Sequence, residues 1–224
     1  MKKTAKFLTV AALLATGFSG TAMADEGFDI GADIVSTYVW RGSELDSSPA
    51  IQPSLTYTFA GIGVQVGAWG SYAVSENSGS RYKEIDLFAT VPLGPGNITV
   101  TSYSDVSDDN NSKTFDFSSD GISSVEVSAG AEFGDLSLLA AVFVAGNDYG
   151  NATYCEAGYQ FYDKDGYTAS AVLGAGDEDY YGDAEGKKFA VVNTGISVSK
   201  DRYTASYVYN PDSEKSSLVF MASF

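Results

Sequence analysis

Histidine is absent from this 224-residue chain, and cysteine occurs once. Without histidine the chain cannot form a Ser-His-Asp triad, a Cys-His dyad, or a histidine-ligated zinc or haem site. A single cysteine cannot form a disulfide within the chain. Catalysis by aspartate and serine alone would be unusual, so we expect a protein that is not an enzyme, with no catalytic residue, cofactor or metal site.

Basic residues are also scarce, because 13 Lys and Arg stand against 29 Asp and Glu, for a formal net charge of −16. Proteins that bind nucleic acid depend on Lys and Arg to neutralise phosphates. The charge balance therefore argues against a nucleic-acid partner.

Long hydrophobic runs are missing, and the one apolar run, residues 7–18, lies at the N-terminus behind three lysines. It is too short for a spanning helix, which needs about 20 residues. Ala22-Met23-Ala24 follows with the small residues that a signal peptidase recognises. We predict a secretory signal peptide over residues 1–24 and one domain over 25–224. The alternative is a short N-terminal anchor helix.

The rest of the chain alternates apolar and polar residues with a period of two, which is typical of β-strands with one apolar face. In 28–40 the even positions run from Phe28 to Trp40 and are mostly apolar, and in 51–59 the odd positions are apolar. Most segments are close in length to the roughly 9–11 residues that a tilted strand needs to cross a bilayer. The twelve predicted strands are 28–40, 50–60, 62–74, 83–92, 97–104, 122–133, 136–146, 152–162, 166–175, 187–199, 202–210 and 215–224.

The connections between these strands alternate in length. Short ones, such as Ala60-Gly61 and Gly134-Asp135, follow every second strand, whereas longer polar ones, such as 75–82, 105–121 and 176–186, follow the others. Outer-membrane barrels have this asymmetry, with the short turns in the periplasm. An even strand number also places both chain ends there.

Aromatic residues on the predicted outward faces fall into two bands, as expected where amphipathic rings settle at the two membrane interfaces. The periplasmic band comprises Tyr57, Phe59, Phe133, Tyr159, Phe161, Tyr167, Tyr203 and Phe224. The opposite band comprises Tyr38, Trp40, Tyr72, Tyr207 and Tyr209.

A secreted β-sandwich also alternates, but its solvent-facing side usually carries Lys, Glu and Arg. Here the polar faces hold mainly Ser, Thr, Gly and Ala, and closing the sheet would remove its exposed edges. We therefore predict an all-β fold, a transmembrane antiparallel up-and-down β-barrel of about twelve strands. The alternating last strand ends on Phe224, which resembles the signal read by the barrel-assembly machinery.

Five segments carry a family resemblance: Gly31-Ala32-Asp33, Ser36–Gly42 (STYVWRG), Ser48–Pro53 (SPAIQP), Gly67–Ser71 (GAWGS) and Glu84–Leu87 (EIDL). These segments resemble the sequences of the TorF family, a proteobacterial group of proposed outer-membrane porins. The resemblance implies a barrel architecture and an outer-membrane location. It implies little about the substrate.

Charged residues on the inward faces are the candidate pore lining, because charges inside a membrane barrel must face water or each other. Rings of Asp and Glu favour cations. Eight-strand barrels are filled and 16–18-strand porins are open, so a size of twelve strands does not decide whether the lumen is open. The alternative to a pore lining is that Arg41, at the expected outer mouth, pairs with Glu84, Asp86 or another acid and braces a filled lumen. The proposed pore-lining residues are Asp33, Arg41, Glu84, Asp86, Glu126, Glu132 and Glu156.

Trp69 has inward parity and is expected to pack, while Cys155 has outward parity in the lipid band. Two acidic clusters lie in the loops, where we expect solvation rather than Ca²⁺ binding, since neither has the spacing of a calcium loop. The clusters are Asp105, Asp108 and Asp109 with Asn110 and Asn111, and Asp177, Glu178, Asp179, Asp183 and Glu185.

The sequence thus predicts a Gram-negative outer-membrane porin that passively conducts small hydrophilic solutes or ions, with a cation bias. The alternative is a plugged structural or binding barrel that acts through its extracellular loops. The expected partners are outer-membrane lipid, lipopolysaccharide and the assembly machinery.

Overall fold

A computed structural model of the chain defines its fold. The predicted signal peptide, residues 1–24, lies outside the described residues, so its status stays a prediction. The structure describes residues 27–77, 79–107, 114–118, 121–146, 150–182 and 189–224.

The described residues form fourteen strands and one short helix, and no helix among them is long and apolar enough to cross a membrane. In chain order they are β1 (Gly27–Val35), β2 (Tyr38–Trp40), β3 (Ser43–Asp46), β4 (Ala50–Thr58), β5 (Gln65–Ala73), β6 (Lys83–Leu93), β7 (Gly96–Asp105), β8 (Ser123–Phe133), β9 (Leu136–Gly146), β10 (Thr153–Lys164), β11 (Tyr167–Asp177), α1 (Glu178–Tyr181), β12 (Phe189–Lys200), β13 (Tyr203–Asn210) and β14 (Lys215–Ser223).

Twelve of these strands close into one antiparallel barrel, in which each strand pairs with the next along the chain and β1 pairs with β14. The predicted fold class is therefore confirmed. Strands β2 and β3 stand apart as a separate hairpin. The first strand was predicted to reach residue 40, but it ends at Val35, where the chain leaves the barrel wall.

The barrel is apolar outside and polar inside. Outward side chains such as Leu173 and Ile196 are each 55% exposed, whereas inward Gln52 and Thr101 are each 3% exposed. So much exposed apolar surface is unfavourable in water, at about 25 cal/mol per Å². The polarity is that of a barrel whose outer face contacts lipid.

The two ends of the barrel differ as the sequence predicts. The turn end carries the short connections, and the loop end carries the long ones together with the β2–β3 hairpin. The turn between β4 and β5 is longer than the predicted Ala60-Gly61, because Phe59 N donates to Val64 O and β5 begins only at Gln65. The two-residue turns are 94–95, 134–135, 165–166 and 201–202.

The last residue completes the barrel closure. Phe224 N donates to Ala32 O (2.9 Å), and Ala32 N donates to Phe224 O (3.1 Å). The register then continues through three residue pairs from Asp33 to Val35. Because β1 and β14 share so few pairs, these terminal hydrogen bonds form a large part of the seam.

The aromatic band at the turn end lies on the outer face, where all eight predicted members are exposed or half-buried. At the loop end, Tyr72, Tyr207 and Tyr209 also point outward. Tyr38 and Trp40 were wrongly predicted in this band. Both are buried, because the chain turns into the lumen after Val35.

A charge on the outer face tests whether that face contacts lipid. Leu173→Arg should lower the free energy of unfolding in lipid vesicles by about 2–4 kcal/mol, because arginine near the bilayer midplane is costly. Equilibrium denaturation of the refolded barrel measures this. Asp135→Arg in an exposed turn is the control and should have little effect. Equal effects of the two substitutions would contradict a lipid-facing surface.

Candidate functional site

A hairpin folded into the barrel defines the site. Strands β2 and β3 pair across Arg41 and Gly42, which have φ values of 47° and 86°. Two consecutive positive φ values characterise the type I′ turn that closes tight hairpins. At its base, Thr37 Oγ1 donates to the Asp46 carbonyl at 2.7 Å.

The first side of the hairpin packs against two parts of the inner wall. The ring of Tyr38 lies 5.6 Å from that of Trp69, between centroids, and 5.7 Å from that of Tyr82. Val39 is buried with Val208 of β13 and with a valine of β14. Trp69 thus packs, as predicted.

Trp40 reaches the opposite part of the wall. Its ring centroid lies 5.7 Å from that of Tyr103 and 6.5 Å from that of Phe143, both in edge-on contacts. It also lies 5.6 Å from the ring of Tyr181, in the short helix α1 after β11. Such contacts each contribute about 0.5–1.5 kcal/mol beyond burial. The hairpin therefore crosses the lumen and fills its loop-end half with aromatic rings.

Arg41 anchors the tip of the hairpin. Its two terminal nitrogens donate to the two carboxylate oxygens of Glu126, at 2.5 and 2.8 Å, and one also donates to Tyr181 Oη at 2.9 Å. The guanidinium carbon lies 4.5 Å from the Trp40 ring centroid and 4.6 Å from that of Tyr154. Burial alone would lower the pKa of Arg41, but the Glu126 carboxylate outweighs it and raises the pKa well above its usual value. Arg41 therefore stays charged.

Gly42 lets the tip approach the wall. A Cβ at this position would overlap the carbonyl oxygen of Val192 in β12, and the positive φ is itself unfavourable for other residues. The Arg41-Gly42 turn thus lies directly against the backbone of β12.

A second carboxylate is held by polar neighbours. Tyr154 Oη donates to Glu156 Oε2 at 2.5 Å, and Asn193 Nδ2 donates to the same oxygen at 3.1 Å. A bulge opposite Gly174 turns both Val192 and Asn193 inward. This group supports the Tyr154 ring beneath Arg41.

Two further carboxylates lie on β6, on the same inward face. Glu84 accepts a hydrogen bond from Tyr82 Oη at 3.0 Å. Burial raises the pKa of Tyr82, so its hydroxyl stays protonated and donates. Asp86 is 1% exposed, and neither of its carboxylate oxygens accepts a hydrogen bond within the described residues.

We call the β2–β3 hairpin and the aromatic rings packed around it the plug. Five of the seven proposed pore-lining residues lie at the plug: Arg41, Glu84, Asp86, Glu126 and Glu156. Asp33 and Glu132 are half-buried, lie on β1 and near the turn end of β8, and form no ion pair in the part of the chain described. Arg41 lies toward the loop end, the expected outer mouth, but the inward hairpin buries it against Glu126, Tyr154 and Tyr181. Its partner is Glu126 rather than Glu84 or Asp86.

The loop clusters are only partly described. Asp177 accepts hydrogen bonds from Thr153 N and Oγ1, and Glu178 is buried in α1. No group of three potential metal ligands occurs within the described residues. Cys155 is exposed on the outer face. Six further positions of the two clusters lie outside the described residues: Asp108, Asp109, Asn110, Asn111, Asp183 and Glu185.

Sequence reasoning missed the aromatic residues that receive the hairpin. Phe143 and Tyr154 have inward parity on predicted strands, so parity alone could have identified them. Tyr181 lies in a segment predicted as a polar loop, and only the neighbouring Tyr180-Tyr181 pair distinguishes it. We find no local signal for Asn193, which faces inward because of a bulge.

A closed twelve-strand antiparallel barrel, apolar outside and polar inside, fits the class of outer-membrane β-barrels. The chain belongs to the family described as "Bacterial protein of unknown function (Gcw_chp)", which it matches over residues 21–220. No curated protein and no solved structure matches the chain. The family description names no activity, so the porin function and the TorF resemblance stay predictions.

Removing one partner of the buried ion pair should release the hairpin. Arg41→Met leaves the Glu126 carboxylate uncompensated and should lower the free energy of unfolding by about 3–5 kcal/mol. Arg41→Met with Glu126→Leu should recover most of that loss, because the charge is then absent. Denaturation of the refolded single and double variants gives the coupling. Additive losses would contradict a buried pair.

Adding a methyl group at the hairpin tip tests its contact with β12. Gly42→Ala should expose Trp40, one of only two tryptophans, to acrylamide quenching in a Trp69→Phe background. Gly166→Ala is the matched control, since Gly166 has a similar φ of 79° and open space around its Cβ. It carries the backbone strain without the overlap. Equal quenching in both variants would show that the tip is not seated against the wall.

Proposed function

We propose that this protein is a gated outer-membrane porin, whose route for small hydrophilic solutes or ions is closed at rest by the β2–β3 hairpin. One observation carries the proposal: a hairpin crosses the lumen and is anchored at its tip by a single buried ion pair. A polar lumen lining remains toward the turn end, including Thr58, Thr90 and Glu132. Withdrawal of the hairpin would join this lining to the loop end.

The fold and the predicted export signal support the proposed location. The apolar outer face supports placement in the outer membrane of a Gram-negative cell, with the turn end in the periplasm. Contacts with lipid and lipopolysaccharide, and assembly through Phe224, belong to the same proposal. So does the absence of enzymatic activity, which rests on the missing histidine.

The acidic lumen supports a cation bias. The plug is surrounded by four carboxylates and contains one cation, Arg41; the carboxylates are Glu84, Asp86, Glu126 and Glu156. A further carboxylate, Asp33, lies on β1. Acidic rings raise the local concentration of cations and disfavour anions. The open state would then prefer cations.

The second candidate is a permanently plugged barrel that acts as a structural or binding protein through its extracellular loops. The aromatic packing around Trp40 favours it, because it involves β7, β9 and α1 at once. A structural plug would need no exit. The two candidates differ in whether weakening the hairpin anchor creates a conducting state.

Single-channel recording in planar bilayers separates the two candidates. The wild-type protein should show almost no channel openings below 100 mV, because one charge that crosses the whole membrane at this potential gains only about 2.3 kcal/mol. Arg41→Met should raise the open probability by about 10²–10⁴-fold, the factor equivalent to 3–5 kcal/mol for leaving Glu126 without its partner. Opened channels should be cation-selective, and Glu132→Gln should reduce that selectivity.

The control is Gly166→Ala, which leaves the hairpin intact and should stay silent. A variant in which residues 37–46 are replaced by a short Gly-Ser linker provides the stricter test. If this variant folds as a heat-modifiable barrel and remains silent, the lumen is filled without the hairpin. That result would reject the gated porin and favour the plugged barrel.

A further inference from the structure

The plug holds more negative than positive charge. Four inward carboxylates lie around it, and Arg41 is the cation among them. Arg41 is committed to Glu126, which forms the one ion pair in the described residues. Glu156 is held by the neutral donors Tyr154 and Asn193. Glu84 and Asp86 on β6 therefore have no cationic side chain as a partner in the part of the chain described.

Asp86 is the extreme case. Its register partners on the two sides are Trp69 of β5 and Tyr103 of β7, so its neighbours across the sheet are aromatic. It is 1% exposed, neither carboxylate oxygen accepts a close hydrogen bond from the described residues, and the Ser104 N–H and the Glu84 carboxyl are its polar neighbours. A buried carboxylate without partners is strongly unfavourable, so such groups are paired, protonated or bound to cations.

The position of Glu84 supplies a second ligand. Residues two apart on a strand face the same side, so Glu84 and Asp86 both point into the lumen from β6. The register partners of Glu84 are the exposed Asp105 of β7 and Ser71 of β5. The Ser71 hydroxyl is buried and accepts a hydrogen bond from Gln52 Nε2 at 3.3 Å. The donors available here are oxygens, which suit hard cations.

We propose that Glu84 and Asp86 bind a monovalent cation, Na⁺ or K⁺, inside the plug. No third acidic or other metal-ligating side chain joins them among the described residues, which argues against the ligand-rich site that Ca²⁺ requires. The bound cation neutralises part of the plug's excess charge and stabilises the closed hairpin through Tyr38 and Tyr82, which pack beside Glu84. The site does not depend on the proposed gating, because it belongs to the closed state.

Thermal unfolding of the refolded barrel in neutral detergent at pH 8 tests this site. NaCl or KCl should raise the melting temperature saturably, by about 2–4 °C or more, relative to N-methyl-D-glucamine chloride at the same ionic strength. Asp86→Asn should abolish that difference. Glu132→Gln, which removes an inward carboxylate near the turn end, should retain it.

Three results would overturn the proposal. An unchanged response in Asp86→Asn would place the cation effect elsewhere. Equal stabilisation by N-methyl-D-glucamine would reduce it to ionic screening. Stabilisation by acidification alone, or a larger saturable effect of Ca²⁺ than of Na⁺ and K⁺, would assign the countercharge to a proton or a divalent ion. The readout is stability, so it can fail or succeed whether or not the barrel conducts.

Discussion

A charged guanidinium with almost no access to water holds the interior of this barrel together. Arg41 is 1% exposed and Glu126 is 2% exposed, so neither charge can be left without the other. The ion pair fixes the hairpin tip, next to which Trp40 packs among the rings of β7, β9 and α1. At the base of the hairpin, Tyr38 packs against β5. The position of the hairpin in the lumen therefore depends on one ion pair between two distant parts of the chain, together with the aromatic packing around Tyr38 and Trp40.

The barrel could be predicted from the sequence because its determinants are local. Alternation with a period of two is set by the strand itself, and turn lengths are read directly from neighbouring residues. The inward hairpin could not be predicted in this way. Residues 36–40 continue the alternation of β1, and alternation is the same for a strand facing lipid and for one crossing the lumen. Tyr38 and Trp40 suit either place, since their rings combine an apolar body with a polar atom.

The candidate site was predictable in membership but not in geometry. Inward parity, which depends only on strand periodicity, identified Glu84, Asp86, Glu126 and Glu156. Which acid would receive Arg41 depends on the depth that the hairpin reaches, and this depth is set by the Arg41-Gly42 turn against Val192. No spacing in the sequence encodes a contact between residues 85 positions apart.

The energy of the anchor limits how the hairpin can leave. Leaving Glu126 buried without Arg41 costs about 3–5 kcal/mol. A potential of 100 mV acting on one charge across the whole membrane supplies only about 2.3 kcal/mol. In the proposed gate, voltage of this size would not open the lumen alone, and withdrawal of the hairpin would have to bring water or a ligand group to Glu126 as Arg41 departs. An apolar tip would pack at least as stably as the ion pair but would offer no group that water could stabilise on leaving. A charged anchor is thus the better choice for a plug that has to move, and this is why we favour a gate over a permanent filling.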